Sequence, residues 1–263
     1  MMMMKLLDKI GCTCIVGLLT IVACSEGSDS FGDFGSSGQG GSMARFTIAG
    51  DYLYTVDNNS LSLFDLSNPS QPEYMDRKEQ SLGFGIETIF GMDTLLFIGS
   101  QDGMYIYDIT RPEFPQQMSF VSHIRSCDPV VASGNYAYVT LSSENTWCGN
   151  TSNVLNIYDI SDIKKPSLIA TETLNYPKGL GVDGNKLFVC DAAQGIKIYD
   201  ITDITRPVWK DDLSHIAEAK SIKPYDVIPM NGLLFTSSDK GFYQFDYTGD
   251  QIKFVSKINI IEK

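Results

Sequence analysis

Histidine and tryptophan are rare in this chain of 263 residues, which contains two of each. The histidines, His123 and His215, do not have the spacing of a helical zinc site, and neither lies near a Gly-x-Ser-x-Gly nucleophile turn. Catalytic signatures are therefore mostly absent, which favours a non-enzymatic role. A general base or a nucleophile partner could still be assembled in space from distant residues.

Positive charge is also scarce. The chain has 20 Lys and Arg against 32 Asp and Glu, a formal net charge of −12, and a sequence pI near 4.5. Binding along a phosphate backbone needs a basic surface, so the composition argues against nucleic acid as a partner.

The chain has no apolar run long enough to span a bilayer. Its N-terminus carries Lys5 and Lys9 and then the 14 apolar or small residues "IGCTCIVGLLTIVA", too few for a hydrocarbon core of about 30 Å. The stretch ends in "IVAC", which resembles the lipobox of bacterial lipoproteins. That resemblance implies cleavage after residue 23 and acylation of Cys24, which would anchor the protein in a lipid membrane. An ordinary cleaved secretory signal is the alternative.

Residues 25–42 are rich in Gly and Ser, at 12 of 18 positions. Such a segment cannot bury a core, so we predict that residues 24–42 form a flexible linker after the signal peptide of residues 1–23. A single domain of residues 43–263 follows.

One short strand recurs five times in that domain. Its copies read "SLSLFDLS", "GMYIYDIT", "VLNIYDIS", "GIKIYDIT" and "GFYQFDYT". Their aspartates, Asp65, Asp108, Asp159, Asp200 and Asp246, are 43, 51, 41 and 46 residues apart, a period typical of one four-stranded propeller blade. Both faces of each copy are apolar, which indicates strands sandwiched between neighbouring sheets. We therefore predict an all-β fold, a β-propeller of about five four-stranded antiparallel blades.

The repeated strand, with "CDPVVASG", "GNYAYVTL" and "DGNKLFVCD", resembles the LVIVD-repeat propellers of bacterial surface lipoproteins over about residues 43–260. The resemblance implies a propeller and a cell-surface lipoprotein, and it implies no established enzyme activity. The repeats begin with an innermost strand, so we expect blade five to pack on blade one without an exchanged strand.

One face of such a propeller collects the loops that precede each innermost strand and those between second and third strands. Four loop carboxylates are expected there, and a ring of them could hold a hard cation such as Ca²⁺: Asp57, Asp102, Asp191 and Asp239. The same residues are common in hairpin turns, which is the preferred interpretation. No other cofactor is indicated.

The same face is the candidate ligand surface. Trp147 lies in its longest loop, where it could stack on a ligand, anchor an interface or fold back over the domain. Glu87 and Asp226 are aligned at one position of two innermost strands. They are interpreted either as solvated channel residues or as a polar site with raised pKa values. The complete candidate ligand set is Trp147, Asp128, Tyr176, His123, Arg125, Glu87 and Asp226.

The cysteines divide by position. Cys127 and Cys148 fall on one face of the third repeat, and an exported compartment permits a disulfide between them. Cys190, within "LFVCD", is expected to be a buried small apolar residue rather than a nucleophile.

Together these features predict a lipid-anchored, non-enzymatic binding module of the bacterial cell envelope, at the outer membrane or cell surface rather than the inner membrane. Its partner would be an unidentified protein or glycan. Two alternatives remain: a metal-dependent periplasmic or surface hydrolase or lyase, and a structural subunit of a surface assembly.

Overall fold

Each of the five repeats folds into a small antiparallel sheet built from consecutive strands, so the protein is a five-blade β-propeller. The computed structural model describes residues 40–75, 80–123, 129–143, 152–220 and 222–260. First strands of neighbouring blades pack on one another, which makes them the innermost strands around a central channel. Within these ranges, no helix is long and apolar enough to cross a membrane.

The strands of the five blades are two to seven residues long. Blade one contains β1 (Phe46–Ala49), β2 (Tyr52–Val56), β3 (Ser60–Asp65) and β4 (Glu73–Tyr74), with β5 (Gln80–Ser81) also paired to β3. Blade two contains β6 (Ile86–Met92), β7 (Leu95–Ser100), β8 (Gly103–Asp108) and β9 (Gln116–Ser122). Blade three contains β10 (Val130–Ser133), β11 (Tyr136–Leu141), β12 (Val154–Asp159) and β13 (Ser167–Thr173). Blade four contains β14 (Pro177–Asp183), β15 (Lys186–Asp191), β16 (Gly195–Asp200) and β17 (Val208–Asp211). Blade five contains β18 (Pro224–Met230), β19 (Leu233–Ser238), β20 (Gly241–Asp246) and β21 (Lys253–Asn259).

A two-residue turn joins the first and second strands of every blade. Its first residue always has φ between 51° and 58°, in the left-handed region. Glycine takes this conformation at little cost, and Asp and Asn are the side chains that tolerate it best. The five residues are Gly50, Asp93, Gly134, Gly184 and Asn231.

This shared turn corrects the predicted alignment of Glu87 with Asp226. Both innermost strands contain a bulge, and register counted from the turn places Glu87 in the bulge of β6, at the position of Tyr225 in β18. The residue equivalent to Asp226 is Thr88. The alignment was wrong because it treated Gly91 as a turn glycine, whereas that turn begins two residues later at Asp93.

The repeated aspartate ends the third strand of each blade with the same turn. Its carboxylate accepts hydrogen bonds from the backbone N–H and the hydroxyl of a Ser or Thr two residues later, as in Asp108 with Thr110 and Asp246 with Thr248. These bonds, the hydroxyl bond foremost, hold the pKa of each carboxyl below its usual value. The recurrent Asp-x-Ser/Thr pattern thus forms a turn, after which the chain continues to the fourth strand.

The third strands of blades two, three and four are buried on both faces, as their apolar patterns predicted. In β16, Ile196 and Ile198 face blade five, where they pack against Leu234 and Phe245. Tyr199 points the other way, into a cluster with Leu155 of blade three. Blade four is therefore held by apolar contact with the blades on either side.

The interface between blade five and blade one, here called the seam, is less completely packed. Phe242 of blade five is 60% exposed. At the same position the other blades bury Leu61, Met104, Leu155 and Ile196 to at most 1% exposure. Across the seam, Phe46 is 56% exposed, whereas its four equivalents are at most 1% exposed: Ile89, Val130, Leu180 and Val227.

In the described part of the chain no strand is exchanged at the seam, as predicted, because the four strands of blade five are consecutive. The expected close packing is not found: β18 packs on β14 and β15, but β1 makes no comparable contact with β18 and β19. Residues just before β1 bridge the seam instead, since Ser42 Oγ donates to Asp226 Oδ1 at 2.9 Å.

Candidate interaction face around the central channel

The loops before the innermost strands and the loops between second and third strands lie at one end of the propeller, here called the loop face. This follows from strand order, because an innermost strand begins where the second strand ends. Of the candidate ligand set, Tyr176, His123, Glu87 and Asp226 are described. Trp147, Asp128 and Arg125 lie outside the described residues, as do Cys24 and the pair Cys127 and Cys148.

Asp226 is the most constrained of these side chains. Ideal Cβ atoms on Gly41 and on Gly179 would each lie 2.0 Å from one of its carboxylate oxygens, so the carboxylate fits between two backbones that only glycine permits. Ser42 Oγ and the Met43 N–H donate to it, at 2.9 and 3.4 Å. Desolvation nevertheless raises the pKa of Asp226 to about 6, because burial penalises the charged form more than these bonds favour it.

Gly40–Ser42 thus pack inside the propeller, although the sequence assigned them to the flexible linker. Ser42 is fully buried, and its hydroxyl also accepts a hydrogen bond from the Leu180 N–H at 2.8 Å. Gly40 lines a channel cavity of about 140 Å³ together with apolar residues that include Phe90, Val131 and Val227. This volume is well below that of typical small-molecule sites, roughly 300 to 1,000 Å³.

Glu87 and His123 are not close partners of Asp226. Gln101 Nε2 donates to Glu87 Oε1 at 3.3 Å, within blade two. The His123 N–H donates to the Asp102 carbonyl at 3.2 Å, where β9 leaves its sheet. The structure thus distributes the predicted ligand residues around the loop face and does not gather them into one catalytic cluster among the residues described.

The four predicted loop residues differ in their hydrogen bonds. Asp57 accepts from the N–H groups of Asn59 and Ser60, both at 2.7 Å. Asp239 accepts from the Lys223 N–H at 2.8 Å, and the Asp102 N–H donates to Ser100 Oγ. In the described ranges, no three His, Cys, Asp or Glu side chains lie close enough to hold a metal ion.

Asp191 differs because it is completely buried. Its carboxylate accepts from the N–H groups of Asn175, Tyr176 and Ala193, at 3.0 to 3.3 Å. Lys197 Nζ lies 3.5 Å away and balances its charge. These bonds attach the loop that contains Tyr176 to blade four. Buried Asp191 therefore fixes the position of this part of the loop face.

Cys190 is buried, as predicted, in the cluster between blades four and five. Burial raises the pKa of its thiol well above the usual value, with the nearby Asp226 carboxylate contributing. A thiol of this kind is protonated and inaccessible, so it serves as packing.

Exposed apolar residues on the loop face were missed by the sequence analysis, apart from Tyr176. Phe84, Tyr176 and Tyr225 are exposed just before or within the first residues of innermost strands, and Met43 is exposed beside them. Lys178 Nζ lies 4.6 Å from the centre of the Tyr225 ring. Their position immediately before each innermost strand is the sequence signal that could have identified them.

A protein-family model described as LVIVD repeat matches residues 40–77 and 124–172, which correspond to blades one and three. These two segments are similar to LVIVD repeats. The sequence matches no curated protein.

Solved structures of similar fold are also found. A functionally unknown protein from Desulfotomaculum acetoxidans DSM 771 is 11% identical, with a TM-score of 0.67 over 82% of this chain and 69% of that one. AztD from Citrobacter koseri is 12% identical, with a TM-score of 0.56 over 78% and 58%. BamB from Moraxella catarrhalis is 11% identical, with a TM-score of 0.53 over 81% and 60%. The chain therefore spans less than two thirds of the length of AztD and BamB, and at these identities the likeness concerns the fold alone.

Proposed function

We propose that this protein is a non-enzymatic binding module of the bacterial cell envelope, anchored in a membrane through acylated Cys24 and presenting the loop face to a protein or glycan. The observation that carries the binding role is the group of exposed Phe84, Tyr176, Tyr225 and Met43 on that face. Aromatic side chains supply large contact areas at low entropic cost, so their exposure on one surface is typical of an interaction site.

The occupied channel supports a surface role. Gly40–Ser42 and Asp226 occupy part of the channel, where a propeller commonly holds a small ligand, and leave there a cavity of only about 140 Å³. A partner would then contact the rim formed by the loops.

The anchor is proposed from the lipobox-like "IVAC" and from the Gly- and Ser-rich residues that follow it. Acyl chains contribute about 0.8 kcal/mol per buried methylene, and two or three chains hold a protein stably at a membrane. The test is to replace Cys24 by Ser. We expect the Cys24→Ser variant to lose labelled palmitate and to leave the membrane fraction; a variant that retains both would refute the anchor.

Photo-crosslinking in living cells tests the binding face. A photoreactive phenylalanine analogue is placed at Tyr176, and in a control protein at Phe114, an exposed aromatic residue in a connection between third and fourth strands at the opposite end of the propeller. We expect a discrete crosslinked partner from position 176 and none from position 114. Equal crosslinking from both positions, or none from either, would refute the proposal.

A further inference from the structure

A cleft on blade four has the composition of a ligand site and is separate from the channel. It has a volume of about 460 Å³ and is lined by Gln194, Lys197, Trp209 and Asp212. This volume lies within the range of small-molecule sites, roughly 300 to 1,000 Å³. Strand order places the cleft at the outer rim of the loop face, because Gln194 precedes β16 and Asp212 follows β17.

Trp209 forms one wall of the cleft and is unusually exposed, at 58%. It lies on β17, the outermost strand of blade four, opposite Tyr199 of β16. Its indole Nε1–H donates to the Asp211 carbonyl at 3.0 Å, which satisfies the polar edge of the ring. The ring is thus held in place with an apolar surface towards solvent, as a stacking platform requires.

The floor of the cleft carries a positive charge that is already balanced. The Lys197 side chain is only 13% exposed, and its Nζ lies 3.5 Å from the buried carboxylate of Asp191. This pairing fixes the ammonium group beneath the cleft. Its remaining N–H groups can donate to a ligand without the cost of burying an unpaired charge.

The other two polar side chains complete the set of donors and acceptors. The carboxyl of Asp212 has its pKa lowered, chiefly by its bonds with the Ser214 hydroxyl and N–H, so it is ionised at neutral pH and accepts hydrogen bonds. The Gln194 amide can both donate and accept. Its backbone N–H donates to the Asp191 carbonyl at 3.0 Å, which fixes the turn that carries it.

These features select a ligand with one apolar face and several hydroxyl groups. With the Lys197 charge balanced by Asp191, the Asp212 carboxylate leaves the cleft slightly negative, which disfavours acidic ligands. A cationic ligand would meet Asp212 favourably but would offer no acceptor to the N–H groups of Lys197. Hydroxyl groups can donate to Asp212 and accept from Lys197 or Gln194, so a neutral polyhydroxylated ring satisfies every group.

We propose that this cleft binds a neutral sugar ring, with the C–H face of the ring on Trp209 and its hydroxyls on the three polar side chains. The inference extends the proposed binding function to a defined ligand class at a second position. Because the cleft lies at the rim, the absence of sugar binding there would leave the crosslinking result at Tyr176 unchanged. The two proposals can therefore fail separately.

The test is a titration of ¹⁵N-labelled protein with maltotriose, cellotriose, mannotriose and chitotriose, followed through the two indole N–H resonances. Concentrations up to about 10 mM detect the millimolar dissociation constants expected of a single sugar site. The Trp209 resonance is assigned by its loss in Trp209→Phe. We expect this resonance to shift with at least one trisaccharide, and Gln194→Ala to weaken that binding by up to about tenfold.

Two controls make the result decisive. Val208→Ala alters the exposed neighbour of Trp209, which does not line the cleft, and should bind as the unmodified protein does. Acidic trigalacturonate should bind more weakly than the best neutral sugar. No shift with any of the four trisaccharides, a shift confined to the other indole resonance, or preference for trigalacturonate would each overturn the proposal.

Discussion

Replacement of Asp226 by Asn tests whether its carboxylate is as desolvated as the structure indicates. Asn has nearly the same shape and keeps an acceptor oxygen for the Ser42 hydroxyl, but it cannot ionise. The unmodified protein must bury a charge beside Gly41 and Gly179 whenever Asp226 is ionised. The variant therefore removes the cost of charge burial and largely preserves the contacts.

The magnitude follows from the pKa of Asp226, which rises from its usual 3.8 to about 6. Each pKa unit corresponds to 1.36 kcal/mol, so the full effect is about 3 kcal/mol. Because the folded state binds the proton more tightly than the unfolded state, the contribution of Asp226 to stability falls as pH rises from about 4 to 6. We therefore compare the free energy of unfolding of the Asn variant minus that of the unmodified protein. Between the acidic end and the pH above this window, that difference should rise by roughly 2 to 3 kcal/mol in favour of the variant.

The assay is urea unfolding of both proteins at several pH values, with the difference in unfolding free energy plotted against pH. Asp200→Asn is the control, because hydrogen bonds with Thr202 lower the pKa of Asp200 and its contribution to stability is instead lost as pH falls. The two difference curves should have opposite slopes. A flat curve for Asp226→Asn would refute the desolvated environment inferred for this carboxyl.

Further substitutions test the packing around the seam and the channel. Ile196→Ala should destabilise the protein by about 2 to 5 kcal/mol in urea unfolding, whereas Phe242→Ala at the equivalent exposed position should cost less than about 1 kcal/mol. Equal costs would mean that the seam is closed in solution. Gly179→Ala would place a methyl group against Asp226 and should cost about 1 to 3 kcal/mol, measured in the same way. Ser42→Ala leaves a carboxylate and an amide without their buried partner and should cost about 1 to 3 kcal/mol; an unchanged midpoint would argue against an ordered residue 42.

The fold could be predicted because its determinants are local and repeated. Alternating apolar residues, such as Ile196 and Ile198 against Tyr199, define strands buried on both faces. The regular spacing of the aspartates defines the blade, and the residues after each one define the turn. Each of these features depends on a few neighbouring residues, and five copies make the pattern hard to mistake.

The candidate site was predictable only in part, because its geometry depends on residues distant in sequence. The pKa of Asp226 is set by burial and by Ser42, 184 residues away. The linker assignment of Gly40–Ser42 followed composition, yet glycine there is what allows the backbone to approach Asp226. The cleft at Trp209 combines side chains from two strands and two loops, which no local pattern connects.

The sequence by itself determined that there are about five blades, each built from strands that are consecutive in the chain, because periodicity and hydrogen-bonding geometry act over short distances. Only the tertiary structure decided how the last blade meets the first. That contact depends on the cumulative angle between blades, and it leaves Phe242 and Phe46 exposed at positions where the repeat pattern alone predicts burial. The same long-range packing, rather than any motif, decided which polar groups line the channel and which line the rim.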